Sequence, residues 1–204
     1  MSVIETMKQK LEGLTGIGRP SADEARGLLC DRAPETLHFL DDGAVPNNPL
    51  PFLVYRSVIK LDGRFDPASV FEVLFAHNSW GRSWRNGIYD YVHYHSQIHE
   101  VLGIARGQGR VRFGGDRGVE LDVAAGDVAV LPAGTGHQRL TASADLLVVG
   151  AYPPEGTYDE CRGKPDEHAH ALKTIPRVPL PGTDPLFGPG GPLRELWTKS
   201  QVKA

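Results

Sequence analysis

Cysteine is almost absent from this chain: Cys30 and Cys161 are its only two among 204 residues, far apart and in no CxxC pair. A disulfide scaffold is therefore excluded, and the usage suits a reducing compartment. Excess positive charge is missing as well. Lys and Arg number 22 against 25 Asp and Glu, a formal net charge of −3, with no basic stripe along the chain. That balance argues against nucleic acid or an anionic membrane as a partner. No apolar run approaches the length of a bilayer span. The opening "MSVIETMKQKLEGL" is charged throughout and lacks the apolar centre of a signal peptide. There is no internal repeat and no low-complexity segment. These absences leave a cytoplasmic globular chain as the expectation, long enough for one generous domain or two tight ones.

What is present changes character along the chain. In the first part, Ile4, Met7, Leu11 and Leu14 fall at helical spacing, and "TGIGRP" breaks the pattern. Ser21 with Glu24 three residues on forms a capping-box signature for a second helix. From Ala44, "AVPNNPLPFLVYRSVI" gives a turn cluster and then a β-rich run. "FDPASVFEVLFAHNSW" predicts a short inserted helix, with Asp66 as N-cap, Pro67 at the first position, and Val70, Val73, Leu74 and His77 on one face.

After Trp84 the period falls to two. "GIYDYVHYH", "HEVLGIAR", "RVRFGG", "VELDVAA", "DVAVLPAG", "HQRLT" and "DLLVVGAY" are short β-type runs, most of them separated by Gly or Gly/Asp turns. Strands so spaced predict an antiparallel sandwich or barrel. The tail from Pro153, including "PLPGTDPLFGPGGPL", reads as irregular chain with a helix near "DEHAHALK". "GPGGP" is a plain loop, because no strand–turn–helix surrounds it. The expected division is a helical arm over 1–44, a β-barrel over 45–152, and an irregular extension over 153–204 packed on the barrel.

The stretch "GIYDYVHYHSQIHEVLGIARG" sets His93, His95, His99 and Glu100 within eight residues. Residues two apart on a strand share a face, so His93 and His95 point the same way, with Tyr89 and Tyr91 before them. On the next strand, Glu100, Leu102 and Ile104 share one face and His99 the other. If Leu102 and Ile104 face the core, Glu100 joins the two histidines and His99 points away. A bulge would instead make His99 the alternative ligand. His137 arrives from a later strand, after a turn built by Pro132, Gly134 and Gly136. Arg139 and Thr141 share its face by alternation. With Tyr89 and Tyr91 they are candidate pocket lining, although Arg139 reads more readily as a salt bridge at the barrel rim. His168 and His170 of "EHAH" belong to a solvated helix face.

Three imidazoles and a carboxylate make an N₃O set for one divalent first-row metal. Four protein donors in an octahedral arrangement leave two positions for water, substrate or O₂. Iron, manganese and nickel fit that arrangement best; zinc fits too, although a closed tetrahedral site would be structural.

Two spaced patterns carry a resemblance. Gly87, His93, His95, Glu100 and Gly107 form one; Gly126, Pro132, Gly134 and His137 form the other. Together they resemble the paired motifs of the cupin superfamily. One departure is visible: Thr141 stands where an Asn is often found four residues after the second-motif histidine. Beyond the motifs, "VPNNPLPFLVYR", "SWRNGIYDYVHYHSQIHEVLGIARG", "VAVLPAGTGHQRL", "LLVVGAYP" and "GPLRELW" look like the YjlB-like branch of single-domain cupins, over roughly residues 45–197. The resemblance implies a mainly β fold, a double-stranded β-helix or jelly-roll barrel, with helices packed outside. It also implies ligand roles for His93, His95, Glu100 and His137, but names no substrate, since fold analogy is weak evidence for chemistry.

Two readings of function follow. The first is a metal-dependent enzyme of dioxygenase, isomerase or decarboxylase type acting on a small polar molecule. The second is a small-molecule-binding or sensor module in which the ion only anchors a ligand, without catalysis. Exposed sheet edges also lead to the expectation of a homodimer.

Overall fold

The computed structural model describes residue 7 and residues 18–201. The helical spacing of Ile4, Leu11 and Leu14 lies outside those residues. Among the described residues, nine strands pair antiparallel throughout. They are β1 (Glu35–Leu37), β2 (Phe52–Tyr55), β3 (Gly81–Asn86), β4 (Glu100–Arg106), β5 (Gln108–Phe113), β6 (Val119–Ala124), β7 (Val128–Leu131), β8 (His137–Ala142) and β9 (Leu147–Tyr152). One sheet runs β1-β2-β7-β4-β9-β3 and the other β6-β5-β8. The expected mainly β jelly roll is what the chain forms. Its interior holds Phe52, Leu102, Leu131 and Val148 from the large sheet against Val111, Phe113 and Val123 from the small one.

The large sheet is covered on its other face as well. Helix α1 (Ala22–Arg26) has the Ser21–Glu24 capping box, and α2 (Pro67–His77) has Asp66 as N-cap with Pro67 following, both as their sequence signals require. Phe71, Leu74 and Phe75 of α2 pack with Val101 and Ala105 of β4 and with Val130, Val149 and Ala151. Strands buried on both faces read as continuous apolar runs, which explains "VAVL" and "LVVGAY". Each fully buried Leu or Phe contributes roughly 1.5–3 kcal/mol. The helix can come this close because β4 carries Gly103: a Cβ there would sit 2.1 Å from Cδ1 of Phe71.

Two parts of the chain depart from the sequence reading. The run "GIYDYVHYH" forms no ladder; isolated bridges at His93 and Tyr94 and single hydrogen bonds to its carbonyls tie it down, while β3 begins earlier, at Gly81. The tail is more ordered than its Pro and Gly content suggests. Besides the helix expected near "DEHAHALK", α3 (Pro165–Thr174), it carries a 3₁₀ turn (Ile175–Arg177) and α4 (Pro192–Gln201). Side-chain anchors outweigh local propensity here. Buried Asp184 accepts from the Tyr55 hydroxyl at 2.5 Å and from the Leu186 amide at 2.8 Å, and buried Trp197 donates to the Pro51 carbonyl at 2.9 Å.

Asp66 joins helix to sheet. Its buried carboxylate accepts from the Ser69 amide at 3.1 Å, from Arg85 of β3 at 2.8 Å and from Arg106 of β4 at 3.1 Å. Burial alone would raise its pKa, but Arg85, Ser69 and Arg106 outweigh it and hold the carboxyl below its ordinary 3.8. Glu72, likewise opposed by burial, is held below 4.5 by Arg85 and Arg19. A depressed carboxylate pKa means that the unfolded chain binds more protons. The stability is therefore present above the unfolded values and drains away as pH falls from them through the lower folded ones. Thermal unfolding from about pH 5 to about pH 3 should show this loss, and Asp66→Asn, which keeps the cap, should flatten it. At neutral pH the variant should lose about 3 kcal/mol. A pH profile parallel to that of the natural protein would exclude Asp66 as the titrating anchor.

Candidate functional site

The chain reaches the open end of the barrel as an extended segment after β3. Tyr89, Tyr91, His93 and His95 alternate onto one side, with successive ring centroids 4.8, 5.7 and 5.6 Å apart. Reciprocal hydrogen bonds of 3.2 and 2.9 Å between the backbones of His93 and His137 join this segment to the start of β8. Gly134 makes the approach of β8 possible. Its φ of 92° suits glycine, its N–H donates to the His95 carbonyl at 2.7 Å, and a Cβ there would meet the Asn47 carbonyl at 2.6 Å. Glu100 enters from the first position of β4, on the same face as Leu102 and Ile104.

These elements bring three histidines together. His93, His95 and His137 are all buried, and each offers a ring nitrogen within 4.8 Å of the others. Glu100, 2% exposed, places Oε2 3.4 Å from Nε2 of His95 and 3.5 Å from Nε2 of His137. The opposite ring nitrogens face backbone carbonyls: Nδ1 of His95 faces that of Asp159, Nδ1 of His137 that of Thr135 at 3.3 Å, and Nδ1 of His93 that of Tyr91 at 3.4 Å. Donation from Nδ1–H to a carbonyl fixes the tautomer and leaves the Nε2 lone pair pointing inward.

Electrostatics separates the three rings. Burial pushes the pKa of His93 down and that of His137 well down, each helped by a neighbouring imidazole, so both are neutral acceptors. Burial opposes protonation of His95 too, but Glu100 outweighs it and raises the pKa. Among the described residues, Glu100 Oε2 has no hydrogen-bond partner. A buried, unpartnered carboxylate oxygen facing imidazole nitrogens fits a divalent cation, which would satisfy all of these lone pairs together.

Above this cluster lies a cavity of about 450 Å³, walled by Trp84, Ile88, Tyr89, Leu102, Tyr152 and Tyr158, with Arg82 also on its lining. Tyr152 accepts from Nε1 of Trp84 at 2.9 Å. Burial, and then the charge of Glu100, push its hydroxyl pKa up. Asp159 braces the segment carrying His95: its carboxylate accepts from the Ser96 amide at 2.8 Å, the Ser96 hydroxyl at 2.6 Å and the Gln97 amide at 3.2 Å.

Several residues singled out in the sequence stand elsewhere. His99 packs against Trp197 with centroids 4.7 Å apart and accepts from the Ala133 amide at 2.9 Å; burial takes its pKa down to about 3. Of the two tyrosines, Tyr89 lines the cavity, whereas Tyr91 stacks behind it under the Arg162 guanidinium, 4.1 Å from the ring centroid. Arg139 turns to the rim, donating to the Ile88 carbonyl at 3.0 Å with Asp90 at 3.9 Å. Thr141 leaves the face of His137 altogether. Arg110 pairs with Thr141 and Val111 with Arg139, so β8 bulges by one residue between them and the alternation inverts. His168 is paired with Asp41 at 2.9 Å, far from the cluster in the fold.

Tyr152 was within reach of sequence reasoning, because alternation along β9 puts Val148, Gly150 and Tyr152 on one face. Arg82, Tyr158 and Asp159 lie at a bulge or in loops, where no period exists to find them.

No helix among the described residues is long and apolar enough to cross a membrane, and both cysteines are free. No family model matches the chain. Among solved structures it is similar to a TDP-quinovose 3,4-ketoisomerase from Campylobacter jejuni (14% identity, 44% of this chain and 74% of that one, TM-score 0.36). It is also similar to acireductone dioxygenase from Bacillus anthracis with a cadmium ion in its active centre (17%, 42% and 59%, 0.32). A mutant of Bacillus subtilis oxalate decarboxylase matches at 17%, 58% and 29%, with a TM-score of 0.34. Scores this low carry no inference about chemistry. The sequence likeness is stronger: the chain is 39% identical over 170 residues to "Uncharacterized protein YjlB" of Bacillus subtilis (strain 168), spanning 83% of this chain and 99% of that one. The chain belongs to the same family as YjlB.

Proposed function

We propose that this chain is a metal-dependent enzyme of dioxygenase, isomerase or decarboxylase type, acting on a small polar molecule in the 450 Å³ cavity. One observation carries the reading: three inward-facing imidazole nitrogens and the partnerless Oε2 of Glu100 meet at the cavity floor. The donors His93, His95, His137 and Glu100 suit iron, manganese or nickel, and zinc as well. Bound there, such an ion supplies Lewis acidity and open coordination positions.

The chain's own residues do the rest. Nδ1–H donation to backbone carbonyls holds each imidazole aimed inward, and burial keeps His93 and His137 neutral. Trp84 occupies one lone pair of the Tyr152 oxygen and leaves the phenolic proton to donate toward Glu100 or a ligand. Because that hydroxyl resists ionisation, Tyr152 acts as a hydrogen-bond donor rather than a base. Ile88, Leu102 and Tyr89 keep the cavity partly dry, which strengthens every polar contact inside it.

Purified protein should hold about one transition-metal ion per chain by elemental analysis, and His95→Ala or Glu100→Gln should abolish stoichiometric loading. Retention of a full equivalent in both variants would remove the proposed centre. Asp159→Ala, which touches no ligand atom, should weaken retention against a chelator roughly 10–100-fold by loosening His95. An unchanged competition curve would show that the brace is dispensable.

A further inference from the structure

Arg82 and Arg85 line the cavity, and Arg139 and Arg162 contact Ile88 and Tyr91 beside it; among the described residues, all but Arg82 face a carboxylate. Arg85 lies 2.7 Å from Glu72 and 2.8 Å from Asp66, Arg162 is 2.8 Å from Glu160, and Arg139 faces Asp90 at 3.9 Å. Arg82 lines the same cavity with only neutral partners among the described residues. It donates to the Pro153 carbonyl at 2.6 Å, and its guanidinium carbon lies 5.6 Å from the Tyr152 ring centroid.

Its backbone is unusual. The β3–β9 register shifts between Gly81 and Trp84, and within that bulge Arg82 has a φ of 52°. A non-glycine residue in the left-handed region costs on the order of 1 kcal/mol or more, and such residues cluster at ligand clamps. The bulge sets a cation, whose charge no carboxylate among the described residues neutralises, beside the cavity and over the Tyr152 ring. Trp84, Ile88, Tyr89 and Leu102 give the wall an apolar stretch with flat rings at Trp84 and Tyr89.

We propose that Arg82 is the anion-recognising residue of this cavity, and that its ligands are small carboxylic acids with a flat apolar body. The inference rests on the reading of the cavity as the functional site. A guanidinium can donate to both oxygens of a carboxylate, while the aromatic wall covers the body.

Trp84 provides the readout, because it borders the cavity while Trp80 and Trp197 are fully buried elsewhere. Fluorescence titrations with benzoate, benzamide and benzylamine are run on metal-free and nickel-loaded protein. Benzoate should bind in the millimolar range or tighter and about tenfold better than benzamide, with benzylamine weakest. Arg82→Gln should erase the preference for benzoate, and Arg82→Lys should keep most of it. Equal binding of benzoate and benzamide, an unchanged preference in Arg82→Gln, or no response to benzoate would overturn the assignment. Nickel content is measured on the same samples. Protein that takes up no nickel yet keeps an Arg82-dependent preference refutes the metal centre alone; protein that loads but shows no preference refutes the role of Arg82 alone.

Discussion

A buried carboxylate with an unsatisfied oxygen is the constraint around which this molecule is arranged. Glu100 is 2% exposed, and its Oε2 faces the Nε2 atoms of His95 and His137 rather than a hydrogen-bond donor of the backbone or of another side chain. Such a group costs several kcal/mol unless opposite charge compensates it. Without an ion, relief comes from a proton on His95, which the burial of that ring opposes, and from the Tyr152 hydroxyl. The barrel tolerates the arrangement because its strength lies elsewhere, in two apolar cores on either side of the large sheet and in the clamp at Asp66.

The same layering explains how the site is held. Backbone carbonyls aim the three imidazoles, since their Nδ1 atoms face the carbonyls of Tyr91, Thr135 and Asp159. The six-stranded sheet fixes the start of β4, and the reciprocal His93–His137 bonds fix the start of β8. Helix α4 packs on the far face, where Trp197 takes up His99 and keeps that imidazole out of the cluster. Two neighbouring residues, His99 and Glu100, thus serve opposite sides of one sheet.

Much of this was legible in the sequence because periodicity survives wherever strands are regular. Alternation along "HEVLGIAR" separated Glu100 from His99, and the spacing of His93 and His95 kept their shared side even though that segment lacks a ladder. The caps at Ser21 and Asp66 were readable because capping chemistry is local. Reading failed where a single inserted residue resets the alternation, as between Arg139 and Thr141, and where long-range anchors such as Asp184–Tyr55 order a Pro/Gly-rich tail. It could not find Arg82 or Asp159, whose importance comes from tertiary placement alone.

The central claim is that four donors meet around one point, and an anomalous-difference map from crystals of the full chain, collected at a transition-metal absorption edge, tests it most directly. The account predicts one strong peak enclosed by Nε2 of His93, His95 and His137 and by Oε2 of Glu100. A map with no peak there, or with its only peaks at surface residues such as His168, would contradict it.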